Sequence, residues 1–305
     1  MLIYAVKRLS VAILVALTVS LLTFSMIYLS GDPAMALAGE AATQADIENI
    51  RRVYGYDQPI YVQYFDWLGN ALKGNLGQSH YLNSPVSEVI FTRLPVTMIL
   101  GASALSFGLL LAIPLGVLAA MRPNTLIDRF ALGLAVIGQA LPSFWFALIM
   151  IFFFGVALRW LPITGSDSWL NFVMPSIALG YYITPAVMRL TRAGMIEVLS
   201  SDYIRTARAK GLRPSIVLFK HALRNAIIPV VSLAAVQFGF MLGGSIVIET
   251  TFAINGLGQL AWESILRADL PMMQAIVLVL SCFYIILTLV ADILNAFLDP
   301  RIRVS

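Results

Sequence analysis

Apolar positions along this chain gather into blocks. Stepping from one charged side chain to the next leaves six long uncharged runs, at 9–31, 94–121, 130–158, 168–188, 225–248 and 270–291. Each is longer than the roughly 20 apolar residues needed to cross about 30 Å of hydrocarbon. Backbone N–H and C=O groups cannot stay unpaired in lipid, so each run is expected to form a helix. The pattern predicts an all-α integral membrane protein with six transmembrane helices. Lys7 and Arg8 before the first run, and Ala34-Met35-Ala36 after it, resemble the flanks of a secretory leader. The run exceeds the about 7–15 residues of a leader's apolar centre, so a retained first span is expected.

The runs divide the chain into a tail and first span (1–31), an outer segment (32–93), a five-helix core (94–298) with a basic loop at 189–225, and a tail (299–305). In the outer segment, Ala42–Val53 reads as a short helix with Thr43 as N-cap and Asp46 three residues on. Gln58-Pro59 opens another through Leu72, and Gly74-Asn75-Leu76-Gly77 is turn chemistry. In the basic loop, Ser200–Ala209 reads as a helix capped by Ser201 or Asp202, and Gly211 ends it. Pro214 opens the next helix. The result is a helix–turn–helix corner; a pair of basic helices lying on anionic lipid fits the same pattern.

Charge sets the orientation. Charged residues are 12% of the 305 and apolar ones 59%, against about 25% charge in soluble domains. Lys7, Arg8, Arg122, Arg129, Arg301, Arg303 and eight bases from Arg189 to Arg224 fall on one side of the six spans. The short opposite loops hold only Arg159 and Arg267. The positive-inside rule then puts both termini in the cytoplasm. The net charge of +4 reflects this asymmetry, not a nucleic-acid surface.

Several chemistries are missing from the sequence. There is no G-x-x-x-x-G-K-[ST] cradle for a nucleotide, no H-E-x-x-H pair and no nucleophile elbow. The single cysteine, Cys282, reads as a small apolar residue within the sixth span. His80 and His221 both fall in expected loops. No metal site and no catalytic residue is assigned. Asp292 is the one ionisable side chain placed near a span, at its end or paired within the bundle. Polar and helix-breaking residues in the third and fifth spans (Gln139, Pro142, Gln237, Gly243 and Ser245) suit either close helix packing or the lining of a translocation path. Thr251, Phe252 and Asn255 fall in a connection that either reaches into an outer cavity or simply joins two helices.

The stretch Tyr203-Ile204-Arg205-Thr206-Ala207-Arg208-Ala209-Lys210-Gly211-Leu212, followed by His221-Ala222-Leu223-Arg224-Asn225-Ala226-Ile227-Ile228-Pro229, resembles the coupling loop, or EAA motif, of ABC-importer permeases. It is similar to the variant in the dipeptide, oligopeptide, nickel and glutathione family. Arg205 stands where the general motif has Glu, so no glutamate contact carries over. Gly31-Asp32-Pro33, Asp57-Gln58-Pro59, Gly74-Asn75-Leu76-Gly77-Gln78-Ser79, Arg93-Leu94-Pro95-Val96-Thr97, Gly256-Leu257-Gly258 and Asp299-Pro300-Arg301-Ile302-Arg303 extend the likeness to that family's "B"-type subunits. Gly165-Ser166-Asp167-Ser168-Trp169 and Gln237-Phe238-Gly239-Phe240 resemble its glutathione branch.

This resemblance implies a type I importer fold in a bacterial or archaeal inner membrane. It implies a heterodimer with a sister permease, two ABC ATPase subunits that carry ATP and Mg, and an extracytoplasmic binding protein. The chain itself would bind no cofactor and no nucleic acid, and would touch only protein, membrane lipid and cargo. The coupling residues would be Tyr203, Arg205, Thr206, Ala207, Arg208, Ala209, Lys210, Gly211, Leu212 and Arg213. Ala207 and Gly211 would permit close approach to an ATPase groove. Cargo would be a dipeptide, an oligopeptide or a peptide-like solute, with nickel–chelate or opine uptake as alternatives. A self-contained secondary transporter or channel, or a membrane anchor, are the competing classes.

Overall fold

The computed structural model describes residues 2–29, 31–39 and 42–298. The expected tail at 299–305, with Arg301 and Arg303, lies outside them. The described residues are nearly all helical: α1 Leu2–Leu29, α2 Pro33–Ala38, α3 Gln44–Val53, α4 Ile60–Leu72, α5 Val86–Met121, α6 Leu126–Ala140, α7 Ser143–Met150, α8 Val173–Gly180, α9 Thr184–Leu199, α10 Asp202–Ala209, α11 Arg224–Ala226, α12 Ile228–Thr251, α13 Leu257–Leu266 and α14 Leu270–Leu298. Five stretches are long and apolar enough to cross a membrane, at Val6–Ser25, Val86–Met121, Trp169–Leu199, Ile228–Thr251 and Leu270–Ile293.

The third expected span is where pattern and structure part. It is not one continuous helix. α6 stops at Ala140, Leu141 is extended, and α7 begins after Pro142, running into a π-helical turn at Ile151–Ala157. Proline has no N–H to donate and its ring crowds the preceding turn, which favours the break seen at Pro142, although α5 continues through Pro95 and Pro114. The fourth span also differs. It continues to Leu199, which places Arg189 and Arg192 on α9 and not in a loop. α5 begins at Val86, eight residues before its charge-free run, and its 36 residues extend about 54 Å at 1.5 Å each.

Spans that follow one another run in opposite directions, so the connections segregate to two ends. The basic end holds the start of α1, residues 122–125 and residues 200–227. There Arg8 meets Asp292 at 3.0 Å, joining the start of α1 to the end of α14. The far end holds α2–α4 and the connections near 158–168 and 252–269. Its short helices are built as expected. The Thr43 hydroxyl and the Asp46 carboxylate cap α3 reciprocally, and Pro59 precedes α4. Asp32 accepts the Ala34 N–H at 2.9 Å and pairs with Arg51. Burial alone would raise the Asp32 pKa; these two donors outweigh it and lower it.

The core forms where α5, α8 and α9 pack. A Cβ on Gly108 would lie 2.8 Å from the Gly180 carbonyl oxygen, and one on Gly180 would overlap the Ala104 carbonyl. Only glycine lets the two backbones approach this closely. Leu100, Ala104, Met174, Ile183, Ile248 and Phe252 complete the buried cluster beside this seam.

Candidate functional site

The basic end carries the corner at 200–223. α10 is amphipathic: Ile204 and Ala207 turn inward onto Val117, Met195, Val217 and Ala222. The helix ends in a Schellman motif. The Gly211 N–H donates to the Arg208 carbonyl at 2.9 Å and the Leu212 N–H to the Ala207 carbonyl at 3.4 Å. Gly211 has φ +75, the left-handed region that penalises a Cβ. The chain is helical again from Pro214, with a π-helix at Ile216–Leu223. His221 is therefore helical and not in a loop; the basic helix that Pro214 opens simply extends past it. Asn225 donates to the Tyr203 hydroxyl at 2.8 Å and so pins α10 to the helix after the turn.

Sequence-assigned residues sort into two faces. Arg205, Thr206, Arg208, Ala209, Lys210, Gly211 and Arg213 are exposed, as are Tyr203 (43%) and Leu212 (37%). Arg205 is held by Asp202 one turn back. Ala207 is 7% exposed and packs on the chain's own core. A small residue is needed there for internal packing, not for outside approach. Phe219, beyond the assigned stretch, is 61% exposed beside the corner. Aromatic and aliphatic side chains with a basic rim make up the outward face.

The residues assigned to a path are scattered. Pro142 marks the break between α6 and α7, and Gln139 is on the last turn of α6. Gln237 is half-buried on α12 and Gly243 is exposed with open space where a Cβ would stand. Ser245 is fully buried and its hydroxyl donates to the Leu242 carbonyl at 3.0 Å, so it lines no opening in this chain. Phe252 is 1% exposed in the core, so it does not reach into an outer cavity. Asn255 is exposed, and the Thr251 hydroxyl returns to the Val247 carbonyl.

Three polar clusters hold these parts together, and sequence reasoning missed all of them. Asp128, at the start of α6, receives Arg192 of α9 in a two-pronged pair, Nε to Oδ1 at 2.7 Å and Nη2 to Oδ2 at 2.6 Å. Glu249, at the end of α12, is buried. It accepts the Thr97 hydroxyl at 2.8 Å and the Gln259 N–H at 3.0 Å, while Thr97 accepts the Leu257 N–H at 2.8 Å. The carboxylate thus serves the start of α13 as a borrowed cap. At the far end Asp269 accepts the Ser79 hydroxyl, and Ser79 accepts the Leu82 N–H at 2.9 Å. In the sequence Glu249 and Asp269 border charge-free runs and Asp128 lies beside the border residue Arg129, which hides that a residue at a run's edge can turn inward. Among the described residues no group of three or more His, Cys, Asp or Glu could hold a metal ion.

Comparison with known proteins shows which chains this one is similar to. Residues 112–304 match the family model "Binding-protein-dependent transport system inner membrane component", and residues 1–101 match the N-terminal model of the same systems. The chain is 41% identical over 304 residues, 99% of both chains, to the glutathione transport system permease protein GsiC of Escherichia coli (strain K12). The same identity and coverage hold for the GsiC of Pectobacterium atrosepticum. Among solved structures, an inward-facing MetNI methionine ABC transporter matches with a TM-score of 0.58 at 19% identity, covering 69% of this chain and 96% of that one, which speaks to the fold alone. The chain is a multi-pass permease subunit of an ABC importer, a translocating and not an ATP-hydrolysing part. It belongs to the family of binding-protein-dependent transport system inner membrane components.

Proposed function

We propose that this permease works with a sister permease as a heterodimer and carries a peptide-like solute, of the glutathione or dipeptide type, across the inner membrane. Full-length similarity to glutathione permeases supports that cargo class. The basic end faces the cytoplasm, a reading that the distribution of Lys and Arg supports. Of two ATPase subunits, carrying ATP and Mg, one docks on the corner at 200–223 and the other on the sister permease. An extracytoplasmic binding protein delivers cargo to the far end. Gln139, Pro142, Gln237 and Gly243 border the path.

The observation that carries the coupling role is the corner's outward face. Leu212 and Phe219 stand exposed, as do the nearby bases Arg208, Lys210 and Arg213, on a turn fixed by a Schellman motif and by Asn225. An exposed apolar group on a rigid mount with a charged rim is the anatomy of an interface anchor. The test is co-purification of the ATPase with Leu212→Asp and Arg208→Ala variants. L212D is expected to abolish association while R208A weakens it mainly at high salt. If L212D leaves association intact, the corner is not the docking point. ATP-independent flux through the purified chain in vesicles would instead favour a self-contained channel.

A further inference from the structure

The far end contains a cleft of about 690 Å³ that the coupling role leaves unused. Its walls are Arg52 on the last turn of α3 and Tyr54 just beyond it, Asp66, Trp67 and Asn70 of α4, and the hairpin near His80; Gln274 of α14 lines it as well. Gln274 is 6% exposed, and its Nε2 has no hydrogen-bond partner among the described residues. Buried side-chain donors are nearly always partnered, so this shielded, unpartnered donor on a residue that lines the cleft points to an acceptor supplied from outside, which it meets by a turn of its side chain.

The size fits a small solute, since ligand pockets run about 300–1,000 Å³. The lining fits a peptide: aromatic rings for apolar bulk, side-chain amides that pair with backbone amides, one guanidinium and one carboxylate for opposite terminal charges. The cleft is assembled from the segment before α5 and the first turns of α14, so a solute reaches it without passing between the spans.

We propose that this cleft is an accessory site for a short zwitterionic peptide-like solute, one of whose carbonyl or carboxylate oxygens accepts from Gln274 Nε2. It rests on the peptide-type cargo proposed above, but differs from the path itself. Occupancy would tie α4 and the hairpin to the start of α14.

The experiment uses the full permease with its sister subunit in lipid nanodiscs, without ATPase or binding protein, titrated with triglycine and with glutathione. Saturable heat and shielding of Trp67 from acrylamide are expected, the fluorescence change disappearing in Trp67→Phe. Gln274→Leu is expected to weaken binding about tenfold. Asn70→Trp, which fills the cleft from an exposed position, does the same where Q274L fails to fold. No saturable signal up to about 10 mM, or binding that neither variant alters, overturns the site. ATP-driven uptake with the binding protein is followed in parallel. Peptide uptake without binding to the permease alone refutes the cleft and leaves the cargo reading standing; no peptide uptake at all refutes the cargo reading.

Discussion

Separating Asp128 from Arg192 tests whether α6 and α9 are one mechanical unit. The Asp128 side chain is 3% exposed and that of Arg192 23%. Both oxygens of the carboxylate are used, and Oδ2 also accepts the Asn124 N–H at 2.8 Å. Removing one partner of a buried pair costs about 3–5 kcal/mol, because the other charge stays behind uncompensated. Arg192 keeps some access to water, which places Asp128→Asn near the lower bound, about 3 kcal/mol. Arg192→Met strands the more buried carboxylate and costs more. The double variant leaves no stranded charge and is expected to be more stable than R192M alone. Reversible unfolding in mixed micelles, read by near-UV circular dichroism, gives the four free energies of the cycle. The pair is expected to show a coupling of about 1.5 kcal/mol or more. Strict additivity, or single variants within about 0.5 kcal/mol of the parent, would refute the strut. α9 ends only two residues before α10, so the ATPase should also bind D128N less well.

Three further outcomes follow from particular contacts. Gly180→Ala is expected to destabilise by about 1–3 kcal/mol, the usual cost of overpacking, because the new methyl overlaps the Ala104 carbonyl; Gly243→Ala, facing open space, is expected to be silent, and equal effects in thermal unfolding would argue against the seam. Gly211→Ala forces a side chain into φ +75 at about 1–2 kcal/mol, so ATPase affinity for the corner should fall roughly 5- to 30-fold in a pull-down titration, an unchanged affinity meaning the turn is not read in that form. Burial lowers the His80 pKa, the Asp269 carboxylate opposing in part, so the folded hairpin at 77–86 holds fewer protons than the unfolded chain. Its stability should be full above pH about 6.5 and decline as pH falls toward the folded value; hydrogen exchange of these amides across pH 5–8, corrected for intrinsic rates, checks this, and a His80→Gln variant should flatten the profile.

The fold was largely legible because lipid imposes one rule on every span. Charge-free length located the spans, and cap and turn residues located α3, α4 and the corner at Gly211. The third span misled because a window of apolar residues is blind to a single backbone defect. Pro142 was visible, but whether a helix kinks at proline or breaks depends on neighbours that can satisfy the freed groups. The lengths of α5 and α9 were underestimated for a related reason. Helices continue beyond hydrocarbon wherever tertiary packing supports them, and Arg192 tolerates its place on α9 because Asp128 is there to meet it.

The site was legible in its sequence-local half only. A Schellman turn is written in six consecutive residues, Ala207 to Leu212, so Gly211 could be assigned from its surroundings. The direction a small residue faces depends on which helix lies behind it. That is why Ala207, read as an outward contact, proves to pack inward on Val217 and Ala222. The clusters on Asp128, Glu249 and Asp269 join residues 64, 152 and 190 positions apart. No periodicity carries such a pairing. What the sequence does carry is a cost: in a chain this poor in charge, each carboxylate at a span boundary must be solvated or matched. Three matched carboxylates fix the joints α6–α9, α5–α12–α13 and hairpin–α14. Between them most helix contacts are apolar, with Arg8–Asp292 tying α1 to α14 and the Tyr181 hydroxyl donating to the Leu134 carbonyl of α6. Such a division, charge-matched at the ends and mostly apolar along the spans, is what a helix bundle requires if a push at one end is to reappear at the other.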